Sequence, residues 1–90
     1  MISFLTGELR NIYRENSSIE LDVSGVGYEI VLPVFVLDSL LNSSLDVGQE
    51  ITLEIYFHST ERSPKPLLVG FFNQLEKRFF LKIIQVEGIG

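Results

Sequence analysis

Two stretches of this chain alternate apolar and polar residues so regularly that only strands with one buried face fit them. In the first, Ile19, Leu21 and Val23 point one way while Glu20, Asp22 and Ser24 point the other. In the second, Ile51, Leu53, Ile55 and Phe57 alternate with Glu50, Thr52, Glu54 and Tyr56. A period of two is a strand period, and a face carrying acids in every other place must be solvated. The chain is therefore built around half-buried β-structure.

The remaining strands follow from the punctuation between these two. Asn16-Ser17-Ser18 is turn chemistry, so the segment from about Ile2 to Tyr13 is predicted to pair as a hairpin with the strand beginning at Ile19. Gly25-Val26-Gly27 interrupts the alternation, which resumes at Tyr28, Ile30 and Leu32 and stops at Pro33, where the ladder loses a donor. A bulge or sharp bend is expected at the two glycines. Val34, Leu37, Leu40 and Leu41 have near-helical spacing and predict a short helix over one end of the sheet. Ser59 to Pro66, with two prolines, reads as a hairpin tip leading into a last strand from Leu67 to Phe71. Five strands with a helix between the third and fourth is the order of an OB-type barrel, so the fold class is mainly β, with an amphipathic helix after the barrel.

That helix is announced by Asn73 and Glu76, a capping-box spacing, and is predicted from about Gln74 to Val86. Leu75, Phe79, Ile83 and Val86 form an apolar stripe widened by Phe80 and Ile84, and Lys77, Arg78, Lys82 and Gln85 fill much of the rest. A stripe this wide asks for more than one covering surface. Beyond it, Gly88-Ile89-Gly90 admits two readings. One is a glycine-capped chain end; the other is the start of a helix-hairpin-helix, whose backbone amides hydrogen-bond DNA phosphates without reading bases.

Composition removes several chemistries. With no cysteine there is no disulfide, thiolate nucleophile or thiolate zinc site, and a reducing, cytoplasmic setting is the simplest expectation. No secretion signal or membrane-length apolar run is visible, so the two Asn-x-Ser sequons at Asn16 and Asn42 read as polar turns and no membrane partner is expected. His58 is the lone histidine, Gly25-Val26-Gly27 lacks the strand-to-helix setting of a phosphate loop, and the serines lack a base partner. No catalytic residue, metal site or cofactor is predicted. Charge is unevenly spread: residues 1–72 hold four cations against ten acids, net −6, whereas residues 73–90 hold three against two, net +1. Any attraction for phosphate is concentrated at the C-terminal end.

Several segments in order resemble the RuvA family over essentially the whole chain. They are Met1-Ile2-Ser3-Phe4-Leu5-Thr6-Gly7, Asp22-Val23-Ser24-Gly25-Val26-Gly27-Tyr28-Glu29-Ile30 with Pro33, and Val47-Gly48-Gln49-Glu50. Leu68-Val69-Gly70-Phe71 and Glu76 with Phe80, Ile83, Ile84, Gly88, Ile89 and Gly90 complete the set. The resemblance implies an OB barrel over residues 1–72 and, over 73–90, the first helix and start of a helix-hairpin-helix domain. It also implies a homotetramer holding four-way junction DNA on its concave face, and an ATP-driven RuvB motor recruited through a C-terminal domain that these residues do not include. Most of the family's DNA contacts, and its RuvB contact, are accordingly expected to lie outside this chain.

Carried over residue by residue, Gly88, Ile89 and Gly90 are hairpin residues, and Glu61 is a candidate for the first of two acids that the family sets near the tetramer centre. Arg62 then stands where the second acid belongs, while alignment backwards from Gly70 puts Ser63 and Pro64 there. Glu87 also departs from the small polar residue usual before the hairpin. Two other functions remain open on sequence alone. One is a generic single-strand binder stacking bases on Tyr28, Tyr56, Phe57 and Phe72; the other is a purely structural protein-interaction domain.

Overall fold

In the computed structural model, which describes residues 1–59 and 65–86, five strands close into a barrel. Strand β1 (Phe4–Tyr13) is followed by a 3-10 turn (Arg14–Asn16), β2 (Ser18–Val23), β3 (Val26–Val31), helix α1 (Val34–Leu41), β4 (Glu50–His58), β5 (Leu67–Phe71) and helix α2 (Gln74–Val86). Around the barrel the order is β1-β2-β3-β5-β4, with β4 returning to β1. All neighbours are antiparallel except β3 and β5, which meet in parallel at Val31 and Val69. This is the OB-type barrel with a C-terminal helix that the alternation predicts.

Closure depends on β1 serving two neighbours. Its first half, Phe4 to Glu8, pairs with β4, and its second half, Glu8 to Tyr13, pairs with β2. The register with β2 slips between Leu9 and Asn11, a bulge that bends the strand from one wall of the barrel to the other. Gly7 stands just before this bend. A Cβ there would run into the Asp22 carbonyl group, whose carbon is 2.9 Å away, and into the Val23 side chain. Glycine at this position lets β1 and β2 approach closely.

Of the bulge or sharp bend expected at Gly25-Val26-Gly27, the structure has the bend, and a bulge lies in β1. The β2–β3 hairpin turns on two residues, Ser24 (φ 53°) and Gly25 (φ 89°), both left-handed as a two-residue hairpin of matching twist requires. Asp22 Oδ1 accepts the Gly25 N–H at 2.8 Å, and Gly27 already lies within β3 opposite Asp22. At the other end, the first hairpin turns through Ser17 (φ 50°), whose hydroxyl donates to the Leu32 carbonyl while the Leu32 N–H donates to the Ser17 carbonyl at 2.7 Å.

Leu9, Ile19, Leu21, Ile30, Leu32, Ile51, Leu53, Ile55, Val69 and Phe71 fill the interior, and Val36, Leu37 and Leu40 of α1 close one end. The buried face of α1 is thus shifted from the one expected. Val34 and Leu41 are exposed, and in the helix that starts after Pro33 it is positions 36, 37 and 40 that pack inward on the barrel end. Phe57 also departs from expectation. It continues the inward row of β4 but is 37% exposed, since it pairs with Leu68, one position past the Tyr56–Val69 pair at which β3 closes the wall.

Adding a methyl group at Gly7 forces β1 away from β2, whereas a methyl group at Gly27 would meet nothing within 4 Å. Gly7→Ala is therefore expected to destabilise the barrel by about 2–4 kcal/mol, and Gly27→Ala to change it by no more than about 0.5 kcal/mol. Urea unfolding of the two variants checks this, and equal midpoints would refute the role given to Gly7.

Candidate nucleic-acid interface

The chain leaves the barrel at Phe72, which is half-buried against the core, and enters α2 through Asn73. The first amides of a helix lack partners within it, and here the Asn73 side chain supplies one. Asn73 Oδ1 accepts the Glu76 N–H at 2.9 Å, and Glu76 Oε1 reaches back to accept the Phe72 N–H at 2.8 Å. This is the capping pair expected from the sequence, with its return bond landing one residue earlier than the Asn73 amide. Gln74 Nε2 also donates to Glu54 Oε1 on β4, a strap between side chains twenty residues apart that no local pattern announces.

Phe80 anchors the helix to the barrel. Its ring lies 5.3 Å from Phe71 and 6.3 Å from Tyr56, tilted against both. Phe79, its neighbour, turns an edge to Phe35 of α1 with centroids 5.9 Å apart. Three members of the predicted stripe face outward: Leu75 is 74% exposed, Phe79 56%, and Ile83 is exposed as well. Leu75 and Phe79, with Arg78 and Lys82, line a shallow depression of about 210 Å³. Exposed cations and exposed apolar side chains therefore share one side of α2.

The barrel wall has the opposite character. Glu8 stands across from Asp22 on one side and Glu50 on the other, and Glu20 stands across from Glu29. Among the described residues the ion pair present is Arg10 with Asp22, at 4.0 Å, and Glu20 is otherwise met by the Asn11 amide at 2.9 Å. Like charges set opposite one another on a sheet face repel, and they repel a phosphate too.

Of the aromatic residues considered for base stacking, Tyr56 packs on Phe80, with its hydroxyl 3.3 Å from His58 Nδ1, and Tyr28 and Phe72 are half-buried against the core. Phe57 is the exposed one, in an apolar groove with Ile2, Val31, Leu67 and Leu68. A row of rings open to successive bases is not formed among the described residues. No group of histidine and acidic side chains suited to hold a metal occurs among them either, and no helix among them is long and apolar enough to cross a membrane. Gly88, Ile89 and Gly90 of the expected hairpin, Glu61 of the expected acidic pair and Arg62 beside it lie outside the described residues.

A family model described as the RuvA N-terminal domain matches residues 1–65. The chain is 43% identical over 90 residues to the Holliday junction branch migration complex subunit RuvA of Desulfatibacillum aliphaticivorans, covering all of this chain and 42% of that protein. It is 44% identical to the protein of the same name from Desulforapulum autotrophicum and 42% identical to that from Oceanobacillus iheyensis, again along its whole length and over 40% of each. The chain thus spans about two-fifths of the length of these curated relatives.

Phe79 and Phe80 are adjacent yet differ in what they touch, so their replacement should differ in effect. Phe80→Ala is expected to cost about 1–2 kcal/mol, less than a fully buried phenylalanine because the ring is only half-covered. It should also speed amide exchange along α2 while leaving β2 protected. Phe79→Ala should leave exchange in α2 within about threefold of the parent, in keeping with a side chain that is mostly exposed. Unchanged exchange in Phe80→Ala would remove that ring from its anchoring role.

Proposed function

Because the chain belongs to the RuvA N-terminal domain family, we propose that it is a non-catalytic DNA-binding and assembly module of a Holliday-junction branch migration complex, acting in recombination and repair in the cytoplasm. The observation that carries this reading is similarity along the whole chain to proteins named as the RuvA subunit of that complex. In it, residues 1–72 form a barrel domain that organises a homotetramer, and residues 73–90 begin a helix-hairpin-helix domain.

Gly88, Ile89 and Gly90 present backbone amides to phosphate oxygens of a four-way junction, a contact that positions DNA without reading its sequence. The separation of charge supports this division. A net −6 over residues 1–72 disfavours phosphate on the barrel, while Arg78 and Lys82 lie exposed on the helix leading to the hairpin. Glu61 supplies negative charge near the tetramer centre, where repulsion of phosphate guides separated strands. ATP hydrolysis belongs to the RuvB partner, engaged through a domain beyond this chain.

The exposed Leu75, Phe79 and Ile83 favour a second reading, in which residues 1–90 by themselves serve protein partners only. The generic single-strand binder draws no comparable support, since Tyr28, Tyr56 and Phe72 are engaged in packing.

A salt titration separates the three. The 90-residue chain, and the same chain continued through a complete helix-hairpin-helix region, are each titrated with junction, duplex and single strand while solution mass is measured. Junction-preferring binding that weakens steeply with salt and appears in a continued, tetrameric protein is the expected result. Single-strand binding by the 90-residue chain equal to or better than its junction binding would overturn the proposal in favour of the single-strand reading. No DNA binding by either protein would leave the interaction domain.

A further inference from the structure

The return bond of the α2 cap does not stay within the helix. In an ordinary capping box the carboxylate at the third helical position accepts from the cap residue's own amide, and both partners belong to the helix start. Here Glu76 accepts from Phe72, the residue directly after β5, whose side chain is packed against the barrel core. The Glu76 N–H is itself held by Asn73 Oδ1, so one residue of α2 is fixed at its backbone by the cap and at its side chain by the barrel. Glu76 is half-buried, and a charged acceptor shielded from water makes one of the stronger hydrogen bonds available to an amide. Its negative charge also lies in the first turn, where the helix dipole favours it.

The rest of α2 is loosely held by comparison. Beyond Phe80 the described side chains are half-buried or exposed, and the stripe running from Leu75 through Phe79 to Ile83 is open. The direction of the helix is therefore set near its N-terminal end, where one fixed angle must serve the whole length.

We propose that Glu76 is a positioning residue: its carboxylate bridges the β5–α2 joint and fixes the direction in which α2 leaves the barrel. On the functional reading given above, on which this consequence rests, that direction decides where residues 88–90 meet phosphate.

The absence of cysteine permits a direct test. Spin labels are placed through Glu50→Cys on β4 and Gln85→Cys on α2, both exposed positions, and the distribution of distances between them is recorded at a temperature where the barrel is folded. The parent should give one narrow distribution. Glu76→Ala, and Glu76→Asp with its shorter reach, should broaden it; Glu76→Gln, which keeps an oxygen for the Phe72 amide, should restore it. Asn73→Ala removes the helix cap but leaves the bridge, so it should lower the melting temperature while the distribution stays narrow.

Narrow distributions in both Glu76→Ala and Glu76→Asp would overturn the proposal, as would broadening by Asn73→Ala equal to that by Glu76→Ala. Because the measurement uses no DNA, its result is independent of the salt titration, and either idea can fail without the other.

Discussion

The barrel depends on β1 being able to belong to two walls at once. A ten-residue strand that pairs with β4 through Phe4–Glu8 and with β2 through Glu8–Tyr13 has to bend within its length and to approach β2 more closely than side chains on both strands allow. Gly7 grants the approach and the slip between Leu9 and Asn11 grants the bend. Leu9, between them, is fully buried, so the bend also delivers a large side chain to the interior. Closure through β1 removes the free edges that β2 and β4 would otherwise present. The core of Leu21, Ile30, Leu53 and Phe71 exists as one enclosed volume only because that closure is made.

The same pairing arranges the charge. Glu8 can face both Asp22 and Glu50 because it is the residue at which β1 passes from one neighbour to the other. Each such like-charged pair costs a few tenths to about 1 kcal/mol. A small barrel that carries this repulsion has a wall on which a polyanion finds little attraction, whereas α2 carries exposed cationic side chains. Structure and composition agree here. The net charge of residues 73–90 is +1 against −6 for the barrel, and Arg78 and Lys82 are exposed.

Much of the fold was legible because each strand carried its own period. The alternation of Ile19, Leu21 and Val23, the breaks at Pro33 and Ser59–Pro66, and the spacing of Asn73 and Glu76 are local signals, and β5 and α2 fall where those signals put them. What could not be read were the properties set between distant residues. Nothing near Gly7 announces the Asp22 carbonyl, and nothing near Gln74 announces Glu54. Gly25 and Gly27 were read as a bulge or a sharp bend because glycine marks both bulges and tight turns; only the β2–β3 register, Val23 opposite Val26, distinguishes them. At α1 the choice between Val34 and Val36 for the buried face depended on how the helix is rotated against the barrel end, which periodicity over eight residues does not specify. Of the interface, the capping pair and the apolar width of α2 were readable. The division of that width, with Phe80 on the barrel and Phe79 mostly exposed, was not, because adjacent residues on a helix share a stripe yet point about 100° apart.

That division makes the joint between barrel and helix matter beyond its own energy. A helix of 13 residues is about 20 Å long, so a tilt of about 10° at its start displaces its far end by about 3 Å, a full hydrogen-bond length. Backbone amides that reach for phosphate oxygens tolerate much less than this before the bond is lost. An anchor such as Phe80, a hydrophobic contact without strong directionality, limits how far α2 can depart from the barrel but leaves tilt and roll comparatively free. Directional bonds at the first turn, from the Phe72 amide to Glu76 and from Gln74 to Glu54, supply the angular constraint that packing does not. On the proposed function, a barrel whose acidic wall disfavours phosphate would in this way still determine where DNA is held, by controlling the angle of α2.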